Sequence, residues 1–431
     1  MVFSWLPGRA RTSFHHSQKT VILPTRTGAK HSLAELCESA TPPCHLNPLL
    51  FNGHLQTAWT IVKAYDIPIY YKRKVFESDD PNFAGTFAVD FAVSKYDDCD
   101  NSLPPRTTYF TEEDFEQIGS LDSKPMLVCL HGLSGGSHEL YLRHVLAPLL
   151  AEVSGWEACV VNSRGCAQSK ITSGILYNAR ATWDVRQVVR WLKAKFPNRP
   201  LFGVGFSLGA NILTNYCGEE GESCLLKGAV VCSNPWNLEA ASLALQRTWF
   251  GLEVYSKAMG SSMKRLLEEH ADQIISSTRI DLDKIRKITY LHEFDREVQC
   301  PSWGYPTEGA YYRDASSCDA LLNIRVPFFA INAEDDPIAV KEAIPFQEIQ
   351  QNPFIVLCTT SLGGHLSWME LGGGRWFAKP VTNFLKTLAE DIDLEALSNS
   401  FRDIHLNSYN PPKGLCFEPV RRKMHRVDPT I

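Results

Sequence analysis

The sequence predicts an α/β fold, a mostly parallel sheet flanked by helices on both faces. Three observations carry it. The runs at 126–130, 158–161, 201–206, 229–232, 327–331 and 354–358 are apolar almost throughout. A strand has that character when both of its faces are buried. Between the runs lie stretches with helical periodicity: Leu142, Val145, Leu146, Leu149 and Leu150 recur on one face, as do Val185, Val188, Val189, Leu192 and Phe196. Strand and helix signals alternate, as parallel pairing with crossover helices requires.

Taken in order, residues 67–73 and 86–93 read as strands rich in aromatic and β-branched residues. The 126–130 run is followed by a glycine turn and a helix, the 158–161 run by a helical stretch over 177–196, and the 201–206 run by a helix carrying Ala210, Leu213 and Cys217. About 90 residues without a sheet strand then separate Cys232 from Pro327. Too long for a bare loop, they read as a mostly helical cap, with helices over 239–251 and 262–270 and a loop over 305–318. A helix over roughly 375–389 closes the core. The expected organisation is an N-terminal extension (1–45), a first part of the core (46–233), the cap (234–323), a second part of the core (324–390) and a polar tail (391–431).

Composition narrows the function classes. With 44% hydrophobic and 21% charged residues over 431 positions, a large core is available. Forty-three Lys and Arg against 48 Asp and Glu give a net charge of −5, which is no nucleic-acid signature. No apolar run approaches the ~18–20 residues of a membrane span. The 13 cysteines show no C-x-x-C pair, and buried free thiols in a reducing compartment are expected. Residues 1–34 lack Asp and Glu and hold Arg9, Arg11, Lys19, Arg26 and Lys30. A transit peptide has that character, but Pro7, Gly8 and Pro24 interrupt an amphipathic helix. A loose, partly ordered extension is expected, in which Val2, Phe3, Trp5 and Leu6 suit a membrane surface. An intracellular, cytoplasmic location follows, with organelle or lipid-surface association left open.

One motif carries the chemistry. Residues 205–209 read Gly-Phe-Ser-Leu-Gly, a G-x-S-x-G placed between a strand and a helix. Glycines on either side permit the sharp turn that lifts Ser207 clear of the sheet. A serine hydroxyl needs a base, and the base an orienting acid. Of the histidines after Ser207, His365 in Gly363-Gly364-His365 stands just past the last strand, where a loop returns to the serine. Asp336 follows the 327–331 run and precedes Pro337; Asp335 is the alternative acid. An oxyanion needs two backbone donors: Leu208 N–H after the nucleophile, and Leu133 N–H from the turn His131-Gly132-Leu133-Ser134-Gly135-Gly136. His131 reads as a structural hydrogen-bonder and Arg164 as a tie between loops. No phosphate-binding lysine or G-x-G-x-x-G accompanies these residues, and no cofactor or metal is expected.

With Asn47-Pro48-Leu49-Leu50-Phe51-Asn52-Gly53-His54-Leu55-Gln56-Thr57 added, these segments resemble a known family. The chain is similar to α/β-hydrolases of the abhydrolase-domain branch that includes human lipases and fungal medium-chain fatty acid ethyl ester synthase/esterases. The resemblance spans roughly 35–390. It implies Ser207 as nucleophile, Asp336 as acid, His365 as base and an acyl ester as substrate. Hydrolysis and transfer to an alcohol acceptor share one acyl-enzyme, and the fungal relatives suggest acyl-CoA as a donor. The N-terminal span of the membrane-bound human relatives is not seen in this sequence, nor is an H-x-x-x-x-D acyltransferase signature. The competing class is a non-catalytic scaffold of the same fold that binds an acyl ligand or a partner.

Overall fold

The structure is a computed structural model that describes residues 8–62, 66–97, 100–277 and 280–397. Its centre is one ten-stranded sheet. The strands are β1 (Thr12–His16), β2 (Tyr70–Glu77), β3 (Thr86–Val93), β4 (Thr107–Tyr109), β5 (Met126–Leu130), β6 (Glu157–Asn162), β7 (Leu201–Phe206), β8 (Leu226–Cys232), β9 (Phe328–Ala333) and β10 (Ile355–Thr360). They lie in the order β1-β10-β9-β8-β7-β5-β6-β3-β2-β4. The six from β10 to β6 are parallel, and β3 and β1 join them antiparallel at either side.

Burial explains why the strands read as unbroken apolar runs. In β5, Met126, Val128 and Leu130 enter one core layer, Leu127 and Cys129 the other. In β10, Ile355 and Leu357 face the first layer, Val356 and Cys358 the second. Helices cover both faces. The helix Trp183–Lys195 buries Val185, Val188, Val189 and Leu192 in the first layer; Leu140–Leu150 and Ala378–Glu390 bury Leu146 and Phe384 in the second. From β5 the chain first builds toward β6, then returns to lay β7 to β10 on the other side. Ligands of open α/β sheets bind at the carboxyl ends of strands flanking such a reversal. Here those ends carry the 131–136 turn and Ser207.

Several expectations are corrected. Residues 12–16 are no loose extension: Thr12 to His16 pair with Thr360 to Val356 and cap the sheet edge. The segment is short and polar, so only its partner strand makes it a strand. The helix expected over 177–196 begins at Trp183; Asn178 and Ala179 instead line a cavity. The cap holds Leu238–Arg247, Lys257–Glu269 and shorter helices, and 305–318 is not a loop, because Glu308–Ala315 is helical, capped by Thr307 Oγ1. Cap and core are tied by Asn211 and Asn215, whose side-chain amides donate to Ala315 O at 2.8 and 3.0 Å. The expected features of residues 1–6 and the polar tail beyond residue 397 lie outside the described residues.

The described cysteines are free, and all but Cys224 and Cys318 are buried. Burial pushes the Cys166 and Cys358 thiols up to about 12, so neither is a thiolate at neutral pH. Among the described residues no helix is long and apolar enough to cross a membrane.

Beneath the 131–137 turn lies a buried ion pair. Asp90 accepts from Arg73 Nε at 2.6 Å and Nη2 at 2.8 Å, from Ser137 Oγ at 2.6 Å and from Asn162 Nδ2 at 2.8 Å. Both ionic side chains are fully buried. Removing one partner strands the other charge, which costs about 3–5 kcal/mol. Asp90→Ala is therefore expected to lower the unfolding free energy by about that amount in a denaturant titration. A loss under about 1 kcal/mol contradicts the pairing.

Candidate active site

Ser207 sits between β7 and the helix Leu208–Glu220 at φ 54°, ψ −117°, a region non-glycine residues rarely occupy. Its N–H donates to Cys232 O at 2.9 Å, tying the turn to β8. The two motif glycines are needed for close approach. A Cβ on Gly205 would lie 2.5 Å from Gly209 O, and one on Gly209 2.4 Å from His131 O.

The structure brings Ser207, His365 and Asp336 together. His365 Nε2 is 2.8 Å from Ser207 Oγ, and its Nδ1 is 2.9 Å from Asp336 Oδ2. An ionised carboxylate only accepts, so Nδ1 carries the ring proton and Nε2 is free to accept from Ser207. Asp336 Oδ1 accepts from Ile338 N and Ala339 N, both at 2.8 Å, which fixes the carboxylate.

Asp335 faces elsewhere. Its Oδ1 accepts from Gly363 N at 2.9 Å and Gly364 N at 3.0 Å, holding the loop that carries His365. Burial raises its pKa, opposed by those backbone bonds.

The 131–136 turn packs on Ser207: a Cβ on Gly132 would meet Ser207 Cβ at 3.3 Å. Gly132 N donates to Tyr141 Oη, Ser134 N to Tyr177 Oη and Gly135 N to Gly132 O. Leu133 N–H stands between these committed donors. Leu208 is the first residue of its helix, so its N–H has no intrahelical acceptor. His131 Nε2 accepts from Ser163 N at 3.0 Å, so Nδ1–H donates to Gly132 O at 2.7 Å. Burial lowers its pKa to about 4, and it is a neutral brace. Arg164 pairs with Asp184 at 2.8 Å and donates to Phe83 O and Ala84 O, tying loops together.

Sequence reasoning found the 47–57 segment but not its work. Thr57 Oγ1 accepts from His365 N at 2.9 Å and donates to Gly53 O at 2.7 Å. Gln56 Oε1 accepts from Met369 N at 2.8 Å. A Cβ on Gly53 would lie 1.8 Å from Asp335 O, so only glycine lets this helix start against the acid loop. The segment is a bracket for the loops bearing Asp336 and His365.

A cavity, part of it open to solvent, runs from Ser207, Leu133 and Leu208 under the cap. Its apolar wall includes Leu238, Ala241, Leu245, Met259, Met263 and Leu291. Of the aromatic cap residues, Trp236 is core, while Trp249 and Phe250 are exposed. Among the described residues no group of His, Cys, Asp and Glu could hold a metal ion.

A strand-borne serine facing a histidine and a buried carboxylate, beneath a helical cap, defines an enzyme of the hydrolase class. Residues 125–348 match the family model of the alpha/beta hydrolase fold, and the chain belongs to that family, in its abhydrolase-domain branch. It is 34% identical to a monoacylglycerol lipase of Saccharomyces cerevisiae, covering 92% of this chain and 91% of that one. It is 30% identical to the medium-chain fatty acid ethyl ester synthase/esterase 2 of the same yeast, over 80% and 86% of the two chains. The phospholipase ABHD3 of Mus musculus is 32% identical over 58% of this chain and 59% of its own.

Proposed function

We propose that this chain is a serine esterase that cleaves medium-chain lipid esters, monoacylglycerols among them, through an acyl-enzyme on Ser207. The observation that carries the reading is the hydrogen-bonded line from Asp336 through His365 to Ser207 Oγ, which opens into an apolar cavity. The two yeast relatives, a monoacylglycerol lipase and a medium-chain fatty acid ethyl ester synthase/esterase, support the substrate class.

In the first half-reaction Ser207 Oγ bonds to the acyl carbon as its proton passes to His365 Nε2. Leu133 N–H and Leu208 N–H hold the oxyanion, aided by the positive end of the Leu208 helix. The bond to the leaving oxygen then breaks, and that oxygen takes the proton from His365. Asp336 keeps the ring in the tautomer both transfers need. Water gives its proton to His365, attacks the acyl carbon and releases the acid, while Ser207 recovers its proton. An alcohol entering instead of water yields an ester, and acyl-CoA fits the same first step as donor.

The cavity predicts chain-length selectivity. Each methylene moved from water to an apolar wall gains about 0.8 kcal/mol. On p-nitrophenyl esters, kcat/KM is expected to rise from C2 to about C6–C8, by up to a few-fold per matched methylene. A steady fall from C2 contradicts a chain-binding cavity. Added ethanol, scored as ester formed against acid released, reports which nucleophile the acyl-enzyme accepts. Only acid at high ethanol removes the transferase part of the proposal.

A further inference from the structure

The wall of the cavity beyond Ser207 is not apolar everywhere. Asp295, Gln299 and Asn178 line it too, and they are 7%, 3% and 2% exposed. Gln299 Nε2 donates to Tyr177 O at 3.1 Å, but its Oε1 has no partner among the described residues. Asn178 Oδ1 accepts from Arg180 N at 2.8 Å, but its Nδ2 has no partner there either. Asp295 Oδ2 accepts from Tyr312 Oη at 2.7 Å. Buried polar groups are almost always paired, and unpaired ones call for an explanation. An unpaired acceptor, an unpaired donor and a carboxyl group, on three side chains that line one cavity, are the complement of hydroxyl groups.

We propose that Asp295, Gln299 and Asn178 form a hydroxyl-binding subsite that holds the neutral, hydroxyl-bearing alcohol portion of the ester, as a glycerol monoester presents it. The inference rests on the esterase reading of Ser207 and adds to it which alcohols the site selects.

Two further observations define the ligand. No cationic side chain pairs with Asp295 among the described residues; the groups that act on it are Tyr312, Tyr311, Glu308 and Cys300. Burial pushes its carboxyl up to about 7, so further negative charge is unwelcome. A phosphodiester head is therefore a poor occupant and an uncharged diol a good one. The second observation is a connection along the wall. Tyr177 Oη accepts from Ser134 N, next to Leu133, and Tyr177 O accepts from Gln299. One tyrosine thus spans from the oxyanion turn to the subsite. The subsite is thus joined to the oxyanion turn through one residue, while the apolar wall accommodates the acyl chain.

The test compares 1-octanoylglycerol with ethyl octanoate on the full chain. Both give the same acyl-enzyme, so their kcat/KM ratio isolates the alcohol portion. A site built to bond a hydroxyl discriminates against the analogue that lacks it, because its own buried groups stay unpaired. The wild type is expected to favour the glycerol ester at least tenfold, and Gln299→Met, close to isosteric, to reduce that ratio at least fivefold. A wild-type ratio at or below one overturns the subsite. So does a Gln299→Met protein that loses both activities equally, as a purely structural residue would. Binding of the non-hydrolysable 1-O-octylglycerol, followed by calorimetry, separates the two claims. Binding to wild type that weakens at least fivefold in Gln299→Met upholds the subsite even if neither ester is turned over and the esterase reading fails; equal binding overturns it.

Discussion

Ser207→Ala is expected to lower kcat on a medium-chain ester by roughly 10⁴–10⁶ while leaving the fold intact. The side chain is small and only half-buried, and its bond that matters is the one to His365 Nε2. Alanine keeps the backbone but removes the hydroxyl proposed to attack the acyl carbon. Alanine retains the Cβ that crowds the backbone at φ 54°, so the strain of the turn is unchanged. Circular dichroism and the denaturation midpoint check the fold, and steady-state kinetics the activity. More than about a tenth of the activity remaining removes the nucleophile assignment.

The second large effect separates two adjacent carboxylates. Asp336→Asn is expected to lower kcat by about 10⁴. An amide can present its N–H₂ to His365 Nδ1, which then becomes the acceptor and turns its proton toward Ser207. That tautomer cannot accept the serine proton. Asp335→Asn acts differently. The bonds from Gly363 N and Gly364 N go to one side-chain oxygen, which the amide retains. Its other oxygen has no partner among the described residues. A loss of about tenfold or less is expected there, through a slightly displaced loop rather than a wrong tautomer. The reverse ranking transfers the acid role to Asp335.

What the sequence disclosed follows from how each feature is encoded. The parallel strands were legible because both faces are buried, so Met126–Leu130 and Ile355–Thr360 carry apolar residues at nearly every position. The three site residues were legible because each leaves the end of such a strand. The choice within Asp335-Asp336 stayed open because neighbouring side chains point apart, and which way each points depends on the turn. The bracket role of Thr57 was invisible: its bond to His365 N joins positions 308 residues apart, and a side chain bonding a backbone N–H leaves no periodicity. Thr12–His16 escaped notice because a polar edge strand is defined by its neighbour. Asp295 and Gln299 lie on a widened helical turn in the cap, and only the folded chain shows that both line one cavity.

The most direct measurement is site-resolved labelling of the wild-type protein with a fluorophosphonate, followed by peptide mass spectrometry. A single adduct on Ser207, formed in seconds to minutes and suppressed by a saturating medium-chain monoester, is the expected result. Such a reagent modifies a serine only when a base activates the hydroxyl and an oxyanion site receives the phosphoryl oxygen. An unlabelled Ser207 in folded protein, or an adduct on another residue alone, contradicts the proposed catalytic role of Ser207, His365 and Asp336 and favours a scaffold that binds without turning over.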